Sequence, residues 1–340
     1  MTLTGTSQPI TPLLQVKQLK TYFNVANGIA KVVDDVSFDL AAGSTLAIVG
    51  ESGSGKTMLA RSIMGLIPEP PGIRAGGRIL FNQLNLRTLP EKQFANLRGK
   101  DIAMVFQDPM TSLNPVLTIG EQIREVLQQH LTINKQQALA EALTLLRDVG
   151  IPAPEQRLQE YPHQLSGGLR QRVVIAMAIA CKPKLLIADE PTTALDVSIQ
   201  AQILRLLKKL QHQHNMAMLF VSHDLGTVAG IADNVAVMYA GKIVEMGSVQ
   251  DVIHTPRMPY TRALLQSIPR LDTPSHGHLQ VIEGRPPNLS QLPSGCAFAD
   301  RCHSAQEKCR QAIPGLSSGN LTGDNRQQFA CWYPELQAGA

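Results

Sequence analysis

At 340 residues, 44% hydrophobic and 17% charged, the chain has the make-up of an ordinary globular protein of one large domain or two. A net charge of +4 is too small to argue for a nucleic-acid partner on its own. No apolar run approaches the roughly 18 residues of a membrane span, and Met1 to Thr11 is polar, without the basic segment and apolar core of a signal peptide, so a cytoplasmic protein is expected unless a partner brings it to a membrane.

Leu13 to Leu19 alternates as a strand and runs on into Lys20-Thr21-Tyr22-Phe23. Ala30 to Leu40 alternates again, with Val33, Val36, Phe38 and Leu40 apolar. Together they predict an antiparallel β-layer. In a chain only 4% aromatic, Tyr22 or Phe23 is placed to stack on a base. Ser44 to Val49 ends as a buried strand, and Met58 to Met64 reads as a helix. Between them, Gly50-Glu51-Ser52-Gly53-Ser54-Gly55-Lys56-Thr57 matches the phosphate-loop pattern G-x-x-x-x-G-K-[ST]. Its glycines let the backbone curl round an anion. The loop N–H groups and the helix N-terminus then point at phosphate oxygens. Lys56 is placed for the β- and γ-phosphates, and the Thr57 hydroxyl for Mg²⁺.

Gly77 to Asn82 is a further short strand, and Ile102 to Phe106 a buried one ending at Gln107-Asp108-Pro109. Thr118 to Leu131 and Lys135 to Val149 have helical spacing, and Pro152 and Pro154 break the chain after them. Leu165-Ser166-Gly167-Gly168-Leu169-Arg170-Gln171 opens a helix with free N–H groups, a hydroxyl and a positive dipole end. Val173 to Cys181 continues it. Lys184 to Glu190 is a buried strand ending in two carboxylates. Asp189 has the position of a Mg²⁺-holding aspartate, and Glu190 is placed to polarise a water at the γ-phosphate. Ser198 to His212 is an amphipathic helix, and Met218 to Val221 a strand leading to His223. In a parallel α/β sheet the C-terminal ends of such strands converge on one crevice, which gathers Gln107, Asp189, Glu190 and His223 with the phosphate loop. Val235 to Met238 and Lys242 to Glu245 form a hairpin round Tyr239-Ala240-Gly241. Beyond about residue 255, prolines replace periodicity. Tyr260 to Ile268 alone looks helical, and Asp272 to His278 reads as a linker.

The order of these motifs resembles an ATP-binding cassette (ABC) ATPase. The glutamine loop begins at Gln107, the signature is Leu165 to Gln171, Walker B is Leu185 to Glu190, the D-loop is Ala194-Leu195-Asp196, and His223 is the switch histidine. The resemblance implies an α/β P-loop NTPase with a mixed core sheet, an antiparallel β-subdomain and a helical subdomain. It places the nucleotide-binding domain at 13–255, with the helical part at about 108–182, and a small loop-rich extension at 256–340. It implies head-to-tail dimers in which ATP and Mg²⁺ lie between the phosphate loop of one subunit and Ser166, Gly167 and Gly168 of the other, with Asp196 nearby. It favours Phe23 over Tyr22 as the base-stacking ring, makes Gln107 a Mg²⁺ contact beside Thr57 and Asp189, and assigns catalysis to Glu190, His223 and Gln107. Phe106 to Pro115, Tyr161 to Gly168, Ala188 to Val197 and His254 to Thr261 are similar to the peptide/nickel importer branch, especially its dipeptide/oligopeptide members. That branch implies two membrane permease subunits, a periplasmic solute-binding protein, and a paralogous ATPase or a second copy as dimer partner. It places the chain peripherally, on the cytoplasmic side of the inner membrane. The alternatives are an ATPase serving nickel or another small solute, and a soluble ABC ATPase acting on nucleic acid. No second cassette, long coiled coil or basic insert points to nucleic acid.

Cys296, Cys302, Cys309 and Cys331 crowd the tail. In a reducing compartment such a cluster reads as metal before disulfide. Its spacing lacks the paired C-x2-C knuckles of a zinc ribbon. Four thiolates suit a [4Fe-4S] cluster, which members of the resembled branch carry. Zinc and a metal-free reduced tail are the other readings. Cys181 is expected to be a buried structural residue.

Overall fold

The computed structural model of the protein describes residues 11–193, 195–268, 282–318 and 327–335. Ala194 and the expected linker from Asp272 to His278 lie outside them. The described chain opens with β1 (Leu14–Val25) and β2 (Gly28–Leu40), paired antiparallel. Irregular register between Val16 and Phe23 breaks the alternation of β1. The strand nonetheless runs on through Lys20 to Phe23, as expected. β3 (Thr45–Val49) is buried along its whole length and feeds the phosphate loop and α1 (Lys56–Ile63). β4 (Gly72–Phe81) and β5 (Leu84–Asn85) complete an antiparallel layer in the order β2-β1-β4-β5.

After α2 (Glu91–Leu97) and β6 (Ile102–Val105) comes a helical block. It holds α3 (Pro109–Ser112), α4 (Ile119–His130), α5 (Lys135–Asp148), α6 (Pro154–Arg157) and α7 (Gly167–Ile179). Thr118 and Asn134 start α4 and α5 through reciprocal capping boxes with Glu121 and Gln137. α7 starts at the two signature glycines, earlier than their low helix propensity suggests, because Ser166 caps it. It ends at Ile179, so Cys181 falls just past the helix and is half-buried rather than buried.

β7 (Leu185–Asp189), α8 (Val197–His214), β8 (Ala217–Ser222), α9 (Leu225–Val228), β9 (Asn234–Tyr239) and β10 (Lys242–Ser248) follow. The C-terminal region adds α10 (Val249–His254), α11 (Pro259–Gln266), α12 (Glu307–Gln311), β11 (Ser317–Ser318) and β12 (Gln328–Phe329). The second sheet runs β11-β12-β10-β9-β3-β8-β7-β6 among the described residues. Strands β9, β3, β8, β7 and β6 are parallel, and the β10 edge is antiparallel. This is the expected α/β architecture: a mixed sheet, an antiparallel layer and a helical block.

The two-residue period of the strands divides the core. Ala47, Val49, Leu186, Ala188, Met218 and Phe220 face the cluster under the long helices. Leu46, Ile48, Leu185, Ile187, Leu219 and Val221 face the cluster shared with α1 and the antiparallel layer. With both faces covered, these strands read as continuous apolar runs.

Glu245, fully buried on β10, fastens the C-terminal region to this sheet. Its carboxylate accepts the N–H groups of Arg257 (2.6 Å) and Met258 (3.1 Å) and Nε2 of Gln327 (2.7 Å). Burial pushes its pKa up, against the pull of these donors. A carboxylate so placed is held by directed hydrogen bonds, each orphaned partner costing about 1–3 kcal/mol if it were lost.

Candidate functional site

The phosphate loop is shaped by clashes that only glycine avoids at two positions. Gly50 has φ +152° and Gly55 φ +105°. A Cβ on Gly50 would lie 2.1 Å from the carbonyl O of Met238, and one on Gly55 2.2 Å from that of Val32. The β9–β10 turn supports the loop from behind, where Gly241 N–H donates to the Ser54 carbonyl (3.0 Å). Lys56 opens α1 but turns back over the loop. Its Nζ donates to the carbonyls of Gly50 (2.8 Å) and Glu51 (3.0 Å). Burial lowers its pKa, against the opposing pull of Glu190, Asp189 and Glu51. A buried ammonium ringed by loop amides is a receptor for polyphosphate.

Four strand ends meet at this loop, as the sequence predicted. Thr57 Oγ1 donates to Asp189 Oδ1 at 3.0 Å, joining the loop after β3 to the end of β7. Asp189 is 1% exposed. Burial raises its pKa, and the neighbouring Glu190 charge raises it further, while Thr57 and nearby cations lower it. A buried carboxylate beside a second one, with a hydroxyl 3.0 Å away, fits a divalent cation, so Thr57 and Asp189 are the residues that would hold Mg²⁺. Gln107, expected as a third Mg²⁺ contact, donates Nε2 to Glu190 Oε2 at 3.0 Å.

Glu190 collects three partners on the same oxygen. Beside Gln107, the Thr193 hydroxyl donates to Oε2 at 2.9 Å, and His223 Nδ1 lies 3.2 Å away. The Glu190 backbone sits at φ +46°, a left-handed conformation that costs a non-glycine residue about 1–3 kcal/mol and gathers at functional sites. Its carboxylate is thus aimed and held at the mouth of the crevice, where a general base must stand. Thr193 was not singled out from sequence, although the run Glu190-Pro191-Thr192-Thr193 contained it.

The signature residues face elsewhere. Ser166 caps α7 by accepting the Leu169 N–H, and Ser166 and Gly167 are exposed. A Cβ on Gly167 would meet Leu195 at 3.6 Å, and one on Gly168 would meet Ile199 at 2.9 Å. The signature is therefore packed on the D-loop and α8, whose N-cap is Asp196. Ser52 and Gly53 form the exposed crest of the phosphate loop. On β1, Tyr22 is engaged, its hydroxyl donating to Asp34 Oδ1 at 2.7 Å, with burial pushing its pKa to about 12. Phe23, paired in register with Ala30 and Gly72, carries no such bond and is half-buried.

Residues 33–193 match the family model described as "ABC transporter", and residues 244–309 match "Oligopeptide/dipeptide transporter, C-terminal region". The chain is 50% identical to the dipeptide transport ATP-binding protein DppD of Bacillus subtilis over 326 residues, 96% of each chain. It is 54% identical to the oligopeptide transport ATP-binding protein OppD of the same organism over 298 residues, 88% of this chain and 83% of that one. The chain belongs to the ABC transporter family, in its dipeptide/oligopeptide transport branch. ABC transporter ATP-binding subunits are ATPases coupled to transport. The fold agrees: a dimeric ATP-binding cassette in a post-hydrolysis state, bound to ADP and Pi, superposes with a TM-score of 0.63 at 26% identity, over 69% of this chain and 98% of that one. The nucleic-acid alternative has no support among these relatives.

The branch-specific tail surrounds a small cavity of about 20 Å³ lined by Cys296, Cys302, Cys309 and Cys331 together. All four thiols are free. Among the described residues no group of three or more His, Cys, Asp or Glu stands in an arrangement that could hold a metal ion. The cysteines pack with Phe298, Trp332 and Pro314, and burial raises the pKa of Cys296, Cys302 and, to about 12, Cys331. What brings four distant cysteines together is the pairing of β10 with β12 and the Cys296 N–H to Cys309 carbonyl bond of 2.7 Å. A cavity of about 580 Å³ lies between β2, β10 and this tail. Lys56, Asp189 and Glu190 do not line it, so it is separate from the nucleotide site.

Proposed function

We propose that the chain is the ATP-hydrolysing subunit of a multi-subunit ABC importer for dipeptides or oligopeptides, seated peripherally at the cytoplasmic face of a bacterial inner membrane. One observation carries the reading. Lys56, Thr57, Gln107, Asp189, Glu190 and His223 converge on one crevice, in a chain half identical to peptide transport ATP-binding proteins over nearly its whole length. The loop amides and Lys56 bind the β- and γ-phosphates. Thr57 and Asp189 hold Mg²⁺, which when bound neutralises phosphate charge. Glu190 takes the proton of the attacking water, and Gln107, Thr193 and His223 keep its carboxylate aimed. Phe23 stacks on the adenine. Residues 13–255 form the nucleotide-binding domain, with the helical part at about 108–182, and residues 256–340 form the extension. Among the described residues no helix is long and apolar enough to cross a membrane. Two permease subunits supply the path, and a periplasmic solute-binding protein delivers the cargo. Co-expressed with its permeases, the chain is expected in the membrane fraction, and alone in the soluble fraction. Membrane association without any permease would contradict the reading.

The exposed signature supports a site completed in trans, with Ser166, Gly167 and Gly168 lying over the partner's phosphate loop and Asp196 beside them. The partner is a paralogous ATPase rather than a second copy. A mixed dimer defective at Ser166 and Gly167 in one subunit is expected to lose hydrolysis at the opposite phosphate loop. Loss confined to the mutated subunit's own loop would reject the arrangement.

We further propose that the four tail cysteines hold one [4Fe-4S] cluster. The support is their convergence on one cavity and the scant regular structure around them, two-residue strands and a five-residue helix. Small units of this kind need a staple. Bound there, the cluster would tie four segments together and add folding energy. Anaerobically purified protein is expected to be brown, with about four irons per chain. A Cys→Ser change at any of the four should bleach it, and Cys181→Ser should not. Colourless protein with stoichiometric zinc would decide for zinc. Metal-free protein with a protease-resistant tail would reject both.

A further inference from the structure

The tail reaches the phosphate loop directly. Arg301, the residue before Cys302, closes a short 3-10 turn (Ala299–Arg301). Its guanidinium makes a two-pronged ion pair with Glu51, the second residue of the phosphate loop: Nη1 to Oε2 at 2.6 Å and Nη2 to Oε1 at 2.9 Å. The Arg301 side chain is 5% exposed and that of Glu51 23%. The other donors of the fork are also spoken for. Nε donates to the Glu283 carbonyl (2.9 Å), Nη2 also to the Ile282 carbonyl (3.2 Å), and Nη1 also to the Tyr239 hydroxyl (3.3 Å). Phe298 and Tyr239 flank the cation. Tyr260, on α11 and fully buried, accepts the Glu51 backbone N–H at 2.8 Å. Glu51 is therefore held at its backbone and at its carboxylate by two separate pieces of the C-terminal region.

Such an arrangement is a poor way to glue a tail to a domain. A buried ion pair is often no more stabilising than apolar residues of the same volume. What a bidentate arginine supplies is direction and charge. Both matter at this residue. The Glu51 carbonyl is one of the two acceptors of Lys56 Nζ, so fixing Glu51 fixes the lysine that meets the phosphates. The Glu51 carboxylate is also a negative charge inside a loop that must receive a triphosphate. Unneutralised, it would repel the ligand.

We propose that Arg301 is a positioning residue for ATP: by neutralising and orienting Glu51, the cysteine-bearing C-terminal unit holds the phosphate loop in its ligand-receiving form. This rests on the reading of Gly50–Thr57 as the nucleotide site. It makes ATP affinity depend on a segment 250 residues away.

The test is Mg-ATP binding and steady-state hydrolysis by the full chain assembled with its permeases and partner ATPase. In Arg301→Gln the dissociation constant and KM for ATP are expected to rise roughly tenfold, the loss of about 1.4 kcal/mol, with kcat at saturating ATP little changed. Arg301→Lys, which keeps the charge and loses the fork, should fall between. The double variant Glu51→Gln/Arg301→Gln should recover most of the affinity, because the repelling carboxylate is gone. A merely structural Arg301 gives no such rescue. Wild-type affinity in Arg301→Gln, or a double variant as weak as Arg301→Gln, would overturn the proposal. If Arg301→Gln does not fold, Arg301→Lys decides, wild-type affinity there overturning it. Lys56→Ala is the control: if it too binds normally, the nucleotide-site reading fails, not this inference alone.

Discussion

Glu190→Gln is expected to bind Mg-ATP as the parent chain does and to hydrolyse it roughly 10²–10⁴-fold more slowly, the contribution of a positioned general base. The amide keeps the shape of the side chain and can still meet Thr193, Gln107 and His223. It cannot take a proton from water. His223 is the neighbour best placed to substitute, but its ring is aimed at Oε2 of Glu190 at 3.2 Å, and it supports the carboxylate rather than replacing it. Single-turnover hydrolysis in the assembled complex separates the two residues. Parent-like rates in Glu190→Gln would remove the base assignment from this residue.

Lys56→Ala should fail one step earlier. Its ammonium is buried over the loop, 2.8 and 3.0 Å from two of the loop's own carbonyls, and an incoming phosphate takes their place. Hydrogen bonds to charged groups contribute about 1.5–3 kcal/mol each, so binding should weaken roughly 10–100-fold in Kd. Equilibrium binding of Mg-ATP to the purified chain measures this. An unchanged Kd would mean that the loop does not cradle phosphate. The contrast between the two variants, one losing chemistry and the other losing binding, is a sharper check than either alone.

The nucleotide crevice was legible because its residues come in short contiguous runs. Glycines with a Lys-Thr pair at a strand–helix junction, two carboxylates at the end of an apolar strand, and a Ser-Gly-Gly at a helix start each carry their context with them. Parallel strand topology then brings the runs together. Thr193 was harder, because a threonine near a turn has many other uses. The tail was legible only as a composition. β12 is two residues long and takes its register from β10, Glu245 opposite Phe329, which no local pattern specifies. The pairing of Glu51 with Arg301 spans 250 positions, and one buried arginine among many exposed ones has no sequence signature. The expected metal at the cysteines rested on their type, their spacing and the family resemblance. The folded chain gathers the four thiols round one small cavity.

The most direct measurement is peptide uptake into proteoliposomes holding the chain, its permeases and its partner ATPase, with the solute-binding protein and ATP supplied on opposite faces. Accumulation of a dipeptide or short oligopeptide is expected only when Mg-ATP is on the face carrying this chain, and is expected to be lost when this chain alone carries Glu190→Gln. Uptake that continues at the parent rate with Glu190→Gln, or ATP hydrolysis that never moves a peptide, would contradict this expectation.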